Sequence, residues 1–149
     1  MITKDTIQNW PVLAKVDDIT ISPKIHDKKS RNAIRKYGSK NLQSCDVILL
    51  IDNTILRSAK QGMFLTETHL YAKSAYSGKY KIALTDIETI DPHVRHPIKP
   101  IPVFGFTINS EYFVSLPGLN QLIVEGEERK TGLEILVIVL AHLIDCEII

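Results

Sequence analysis

The sequence predicts an α+β domain that is mainly β: a small antiparallel barrel or sandwich covered by one C-terminal helix. Three observations predict it. Apolar residues alternate with polar ones in short segments from Asp46 to Glu125, the period of strands with one face buried. Turn residues punctuate these segments at roughly ten-residue spacing, which implies six to eight strands. A long apolar segment then opens with Thr131 and Glu134 three residues later, a helix-start signature.

Taken in order, residues 1–22 read as an N-terminal extension with mixed apolar positions and short-strand character near Asp18 to Ser22. Trp10-Pro11 marks an extended stretch, because the residue before proline avoids helical angles. A basic helix is predicted over residues 23–37, with Ser22 as cap, Pro23 at the first helical position and Gly38 as the stop. Its apolar arc is narrow: Ala33, Ile34 and Tyr37. The continuous run Val47 to Ile51 suits a strand buried on both faces. Gly62 to Thr66 and His69 to Lys73 read as two further strands. Tyr80, Ile82 and Leu84 then face inward, while Lys79, Lys81 and Ala83 face outward.

A proline-marked loop is expected over Asp91 to Pro97. After it, Phe104, Phe106 and Ile108 share one face, Asn109-Ser110 turns the chain, and Tyr112, Val114 and Leu116 resume the alternation. Pro117-Gly118 signals another turn, and Gln121 to Glu125 reads as the last strand. The C-terminal helix spans residues 132–145, with Leu133, Leu136, Val137, Leu140, Leu143 and Ile144 as its broad apolar surface.

The chain has 149 residues, a length that suits a single domain with a core large enough to need no staples. Its net charge of +1 and 23% charged residues exert no global pull toward nucleic acid or membrane. The only two cysteines, Cys45 and Cys146, form no close-set motif, and isolated thiols fit a reducing compartment. No basic, apolar leader opens the sequence, and the run Ile135 to Ala141 is far short of the ~20 residues a bilayer requires. A cytoplasmic setting is expected.

The segment Asp52 to Tyr71 resembles a group of uncharacterised bacterial proteins whose core is similar to a bacterial pleckstrin-homology-like domain. The matching positions are Asp52, Thr54, Ser58, Ala59, Lys60, Gly62, Thr66 and Tyr71, with Asp86-Ile87 following. Two positions depart from that pattern: Arg57 stands where a glycine is expected, and Thr68-His69 where a glycine-containing turn is expected. The resemblance implies a bent barrel of about seven strands closed by the C-terminal helix, and it implies no activity. Folds of this kind host lipid, peptide and protein binding, so fold alone does not choose among them.

Charge is segregated along the chain. Residues 24–40 hold seven basic groups against Asp27, a local charge of +6 that leaves −5 for the remainder of a chain at +1. Lys24, Lys28, Arg31 and Arg35 follow helical spacing as one stripe; Lys29, Lys36 and Lys40 form a second. Lys24, Lys28, Arg31, Arg35 and Lys36 are therefore the candidate binding residues. The plainer reading is a solvated helix face. At ~1 kcal/mol per basic residue near an anionic surface, four contribute ~4 kcal/mol, only millimolar affinity for membrane. Nucleic acid is disfavoured because aromatic residues do not interleave with the cations, Tyr37 excepted.

Chemistry-bearing motifs are few. Ser58-Ala59-Lys60 lacks the oxyanion hole and positioned base that a serine nucleophile needs, and reads as a strand-connecting turn. His93 and His96, near Asp91, suggest metal spacing, but Arg95 between them opposes a cation. His142 reads as a core-edge histidine. Asp52, Lys60, His93 and His96 are the polar residues an enzyme would use; no catalytic constellation, cofactor or metal is implied.

The expected function is a non-enzymatic binding module for another protein, one form being an immunity or inhibitor protein for a cognate bacterial toxin. The alternative is an anionic-lipid or phosphate-ligand binding domain at a membrane surface. Edge strands could also pair two chains into a homodimer.

Overall fold

The computed structural model describes residues 2–54, 57–74, 77–98 and 101–149, with the backbone alone at Ser77, residues 94–98, residues 101–102 and Glu125. Ile55 and Leu56, within the segment that carries the resemblance, lie outside the described residues. The side chain of His96 does too.

The N-terminal residues are part of the core. Helix α1 (Lys4–Ile7) is a single turn closed by reciprocal bonds between Thr3 and Thr6: Thr6 N–H donates to Thr3 Oγ1 at 3.1 Å and Thr3 N–H to Thr6 Oγ1 at 2.7 Å. A 3-10 turn at Pro11–Lys15 follows. Together they deliver Ile2, Ile7, Leu13 and Val16 to the main core. Strand β1 (Ile19–Ile21) then opens a five-stranded sheet.

That sheet runs β1, β2 (Leu49–Asp52), β3 (Gly62–Leu65), β4 (His69–Ser74) and β5 (Ser77–Ala83), in sequence order. Every neighbour is antiparallel. Its two faces explain why the apolar run before Asp52 is continuous. Leu49, Ile51, Met63, Leu65, Leu70 and Ala72 point into the main core. Leu50, Phe64 and Tyr71 point the other way and pack on Ala33 and Tyr37, of helix α2 (Asp27–Tyr37). Phe64 stacks on Tyr71 with centroids 4.7 Å apart, and Tyr37 tilts against Phe64 at 5.3 Å.

The second sheet comprises β6 (Thr89–Ile98), β7 (Ile101–Ile108), β8 (Tyr112–Ser115) and the short β11 (Glu147–Ile148), ordered β11-β6-β7-β8. β11 is parallel to β6. Strands β9 (Leu122–Glu125) and β10 (Glu128–Thr131) make a separate hairpin that leads into helix α3 (Gly132–Ile144). Ile90, Phe106, Ile108 and Val114 of the second sheet and Leu133, Leu136, Val137 and Leu140 of α3 complete the main core.

The α+β, mainly β reading holds, and its finer parts need correction. Eleven strands are described, not about seven, and they form open sheets with no closed barrel. The basic helix starts at Asp27 and is the second helix, not an N-terminal one beginning at Pro23. Its N-cap is His26, because Ser22 is still held to the sheet: its N–H donates to Ile48 O at 3.0 Å, and Lys24 N–H turns back to Ile21 O at 2.9 Å. Gly38 ends the helix as expected, donating to Ile34 O at 2.8 Å. Gln121 to Glu125 is not the last strand, since β10 and β11 follow.

The expected loop at Asp91 to Pro97 is instead the middle of β6. Ile90 turns its carbonyl toward β11, where Ile149 N–H donates to it at 3.0 Å. By alternation Pro92 turns its missing N–H to the same side. β11 pairs only as far as Ile90, so the proline interrupts no ladder and an edge position accommodates it.

The Asn109-Ser110 turn is as expected. Both residues adopt left-handed φ, 54° and 58°. The Asn109 side chain accepts from Glu88 and Thr89 N–H at 2.7 and 3.1 Å and donates to Asp86 O at 2.7 Å. No described helix is long and apolar enough to cross a membrane.

Candidate functional site

Helix α2 lies on the outer face of the five-stranded sheet because only its Ala33 and Tyr37 side is apolar. Its cations are thereby left around two concavities. A groove of 770 Å3 runs along its C-terminal half, lined by Arg31, Arg35, Lys36 and Lys40, by Ile34 and Leu42, and by Lys79 of β5. A separate cavity of 470 Å3 lies at its N-terminal half, against the loop joining β2 to β3.

The groove gains cations from a part of the chain distant in sequence. Lys73 of β4 stands directly opposite Lys79 of β5, and alternation puts both on the Tyr71 face, the face α2 covers. Lys81 joins them, its ammonium 6.0 Å from the centre of the Tyr71 ring. The Lys73 ammonium is held below its ordinary pKa by desolvation and then by the positive charges of Lys36 and Lys79. Among the described residues, Arg35, Lys36, Lys73 and Lys79 have no ion-pair partner.

The second cavity rests on two partly covered carboxylates. Asp52, at the end of β2, is 4% exposed. Its Oδ1 accepts from Thr54 Oγ1 at 2.6 Å, Thr54 N–H at 2.9 Å and Ala59 N–H at 3.2 Å, and its Oδ2 faces the Lys29 ammonium at 3.1 Å. Burial pushes the Asp52 carboxyl up, but the Thr54 bonds and the Lys29 charge outweigh it and hold the pKa below the usual value. Asp18 takes the opposite course. Burial raises it, and Arg57, whose Nη1 is 3.1 Å from Oδ1, offsets only part of that rise.

Further bonds hold Ser58 and its neighbours. Asn32 Nδ2 donates to Ser58 O at 2.9 Å, strapping it to α2, and Ser58 N–H donates to Thr54 Oγ1 at 2.8 Å. Arg57 and Ala59 are thereby held at left-handed φ of 57° and 58°, unusual for residues with a Cβ. At Gly62 the φ is 133°, and a Cβ there would meet Ile51 O at 1.9 Å, so β3 can begin only with glycine.

The structure therefore divides the predicted stripe. Lys24 lies outside the helix and lines neither concavity. Lys28 lines the smaller cavity, while Arg31, Arg35 and Lys36 line the groove. Two of the counted cations are paired: Lys29 with Asp52, and Arg31 with Asp27 at 2.6 Å. Sequence reasoning missed Lys73, Lys79, Arg57 and Lys60 as members of these surfaces. The outward phase of Lys79 and Lys81 was legible; the register that sets Lys73 against Lys79 was not.

The enzyme candidates do not converge. Lys60 and Ser58 share the smaller cavity, whose lining includes neither Asp52 nor His93. His93 Nε2 instead meets Thr107 Oγ1 at 2.6 Å, and its ring lies 5.3 Å from that of Phe113. Among the described residues, no three His, Cys, Asp or Glu side chains form a metal-sized group. His142 packs edge-on to Trp10 at 5.0 Å, at the rim of the core. Comparison of the chain with protein-family models, with curated proteins and with solved structures returns no match.

Proposed function

We propose that this domain is a non-enzymatic binding module that docks an acidic protein surface on the basic face shared by α2 and the β4–β5 hairpin. The observation that carries this reading is the directly opposed pair Lys73 and Lys79 beside Lys36. Like charges facing each other across a strand pair destabilise a sheet, so the free chain bears a repulsion that an anionic partner relieves. Opposite-sign patches also steer such a partner toward the groove.

The distribution of apolar surface favours protein over membrane. Among the described residues, the exposed large apolar side chains are Leu122, Val124, Ile138, Ile148 and Ile149. They belong to β9, α3 and the C-terminal end, not to α2 or to the described residues of β4 and β5. Among the described residues, the cations thus have no exposed large apolar neighbours to insert into lipid.

An inhibitor or immunity protein covering a toxin is one form of this reading. Its free thiols, Cys45 and Cys146, fit a cytoplasmic setting. A pleckstrin-homology-like origin of the Asp52–Tyr71 segment is compatible with the role and adds no activity to it.

Titrating the full chain with a polyglutamate peptide, read residue by residue by NMR, tests the proposal. Shifts should concentrate at Lys36, Lys73 and Lys79, and Lys73→Glu/Lys79→Glu should weaken binding roughly tenfold or more, since two charged contacts are lost. Unchanged affinity in that variant would sink the reading. Flotation with phosphatidylserine vesicles tighter than peptide binding would replace the protein partner with lipid.

A further inference from the structure

The side chains that line the smaller cavity point to its ligand. Lys28, Lys29, Arg57 and Lys60 line it together with Asn32, Ser58 and His26; no carboxylate and no apolar side chain is among them. A lining made only of cations and polar side chains with hydrogen-bond donors suits a small, multiply charged oxyanion.

The electrostatics set the charge. Lys29 and Arg57 are paired with Asp52 and Asp18, each at 3.1 Å, which holds both side chains in place and cancels their charge. Lys28 and Lys60 have no ion-pair partner among the described residues. The cavity thus presents two uncompensated positive charges, the complement of a phosphate dianion. Residues 58 and 59 are tied down before any ligand arrives: Ala59 N–H donates to Asp52 Oδ1 and the Asn32 strap holds Ser58 O against α2. Preformed donors spare a ligand the cost of ordering them. At 470 Å3, the space exceeds one phosphate group and falls within the range of small-molecule sites.

We infer that this cavity is a binding site for a phosphate dianion, free or carried by a polar small molecule, held by Lys28 and Lys60 between the N-terminal half of α2 and residues 57–60. The site is separate from the acidic-protein face proposed above and does not rest on it.

The test is titration of the full chain with inorganic phosphate and, separately, ribose 5-phosphate, followed by NMR. Saturable shifts are expected at residues 28–32 and 57–60. Lys28→Ala and Lys60→Ala, both exposed positions, should each raise the dissociation constant roughly tenfold. Lys73→Ala/Lys79→Ala should leave it unchanged. Tighter binding of ribose 5-phosphate assigns the remaining volume to the sugar; equal binding assigns the site to free phosphate, and both outcomes support a phosphate site. The inference fails if neither ligand saturates, if the Lys28 and Lys60 variants bind as the parent does, or if the Lys73/Lys79 variant loses binding equally.

Discussion

Tyr37 shows what a single polar atom costs at the join between helix and sheet. Its ring completes the aromatic layer with Phe64 and Tyr71, but its hydroxyl is buried with no hydrogen-bond partner among the described residues. Burial, then the negative charge of Asp52, raise its pKa far above the ordinary phenol value, so it stays protonated. Removing an unsatisfied hydroxyl while keeping the ring should stabilise the fold, and Tyr37→Phe is expected to gain about 1 kcal/mol in chemical denaturation. A loss of stability would show that the hydroxyl is satisfied. Asp52 makes the opposite case. Its folded pKa lies below the unfolded one, so the unfolded chain binds more protons, and the contribution of Asp52 is present above about pH 4 and lost as pH falls through the folded value. Asp18, raised by burial, is stabilised by protonation and works in the other direction. Asp52→Asn should therefore flatten the acid loss of stability, measured as the denaturation midpoint from pH 5 to 2, relative to the parent chain.

At the scale of elements, α3 was the most legible because its signals are local. Thr131 Oγ1 accepts from Glu134 N–H at 3.1 Å, as the sequence signature implied. The reciprocal half is altered: Glu134 Oε1 takes the Thr131 hydroxyl at 3.3 Å, and Thr131 itself is paired in β10 with Leu122. Thr131→Ala should cost about 1 kcal/mol, read as a lower midpoint in thermal or urea unfolding; no change would mean that the β10 ladder alone sets the helix start. Helix α2 was readable at its end, where Gly38 accommodates the close return to Ile34, and misread at its start. Ser22-Pro23 has the composition of a cap, but the ladder to Ile48 claims Ser22 first. Strand β6 was misread for a related reason. Pro92 and Pro97 look like loop residues until the edge that excuses Pro92 is seen.

At the scale of the molecule, the segregated charge of residues 24–40 becomes two surfaces with different chemistry. One is a groove that takes in Ile34 and Leu42 and borrows Lys79 from β5, and the other a cavity lined by Lys28, Lys29, Arg57, Ser58 and Lys60. Lys73→Glu tests whether the basic face is kept against the interest of the fold. It replaces an opposed like-charge pair by an opposite-charge one, so at low salt the chain should gain about 0.5 kcal/mol while losing acidic-peptide binding. The gain should shrink in high salt as the pair is screened. A variant that is neither more stable nor weaker in binding would leave the face an ordinary solvated surface.

The sequence by itself determined the mainly-β class, the strand phases on either side of β6, the α3 start and the basic character of residues 24–40. All of these follow from periodicity and from contacts a few residues apart. Only tertiary structure decided the number and order of strands, the opening of the sheets, and which cations are cancelled and which are free. Those outcomes depend on tertiary placement: Lys73 meets Lys79 only in the register of the β4–β5 pair, Asp52 meets Lys29 only once α2 lies across the sheet, and Asp18 meets Arg57 across 39 residues of chain. Pairing energy between such residues leaves no trace in local pattern, because the chain between them can adopt either phase until the sheet chooses one.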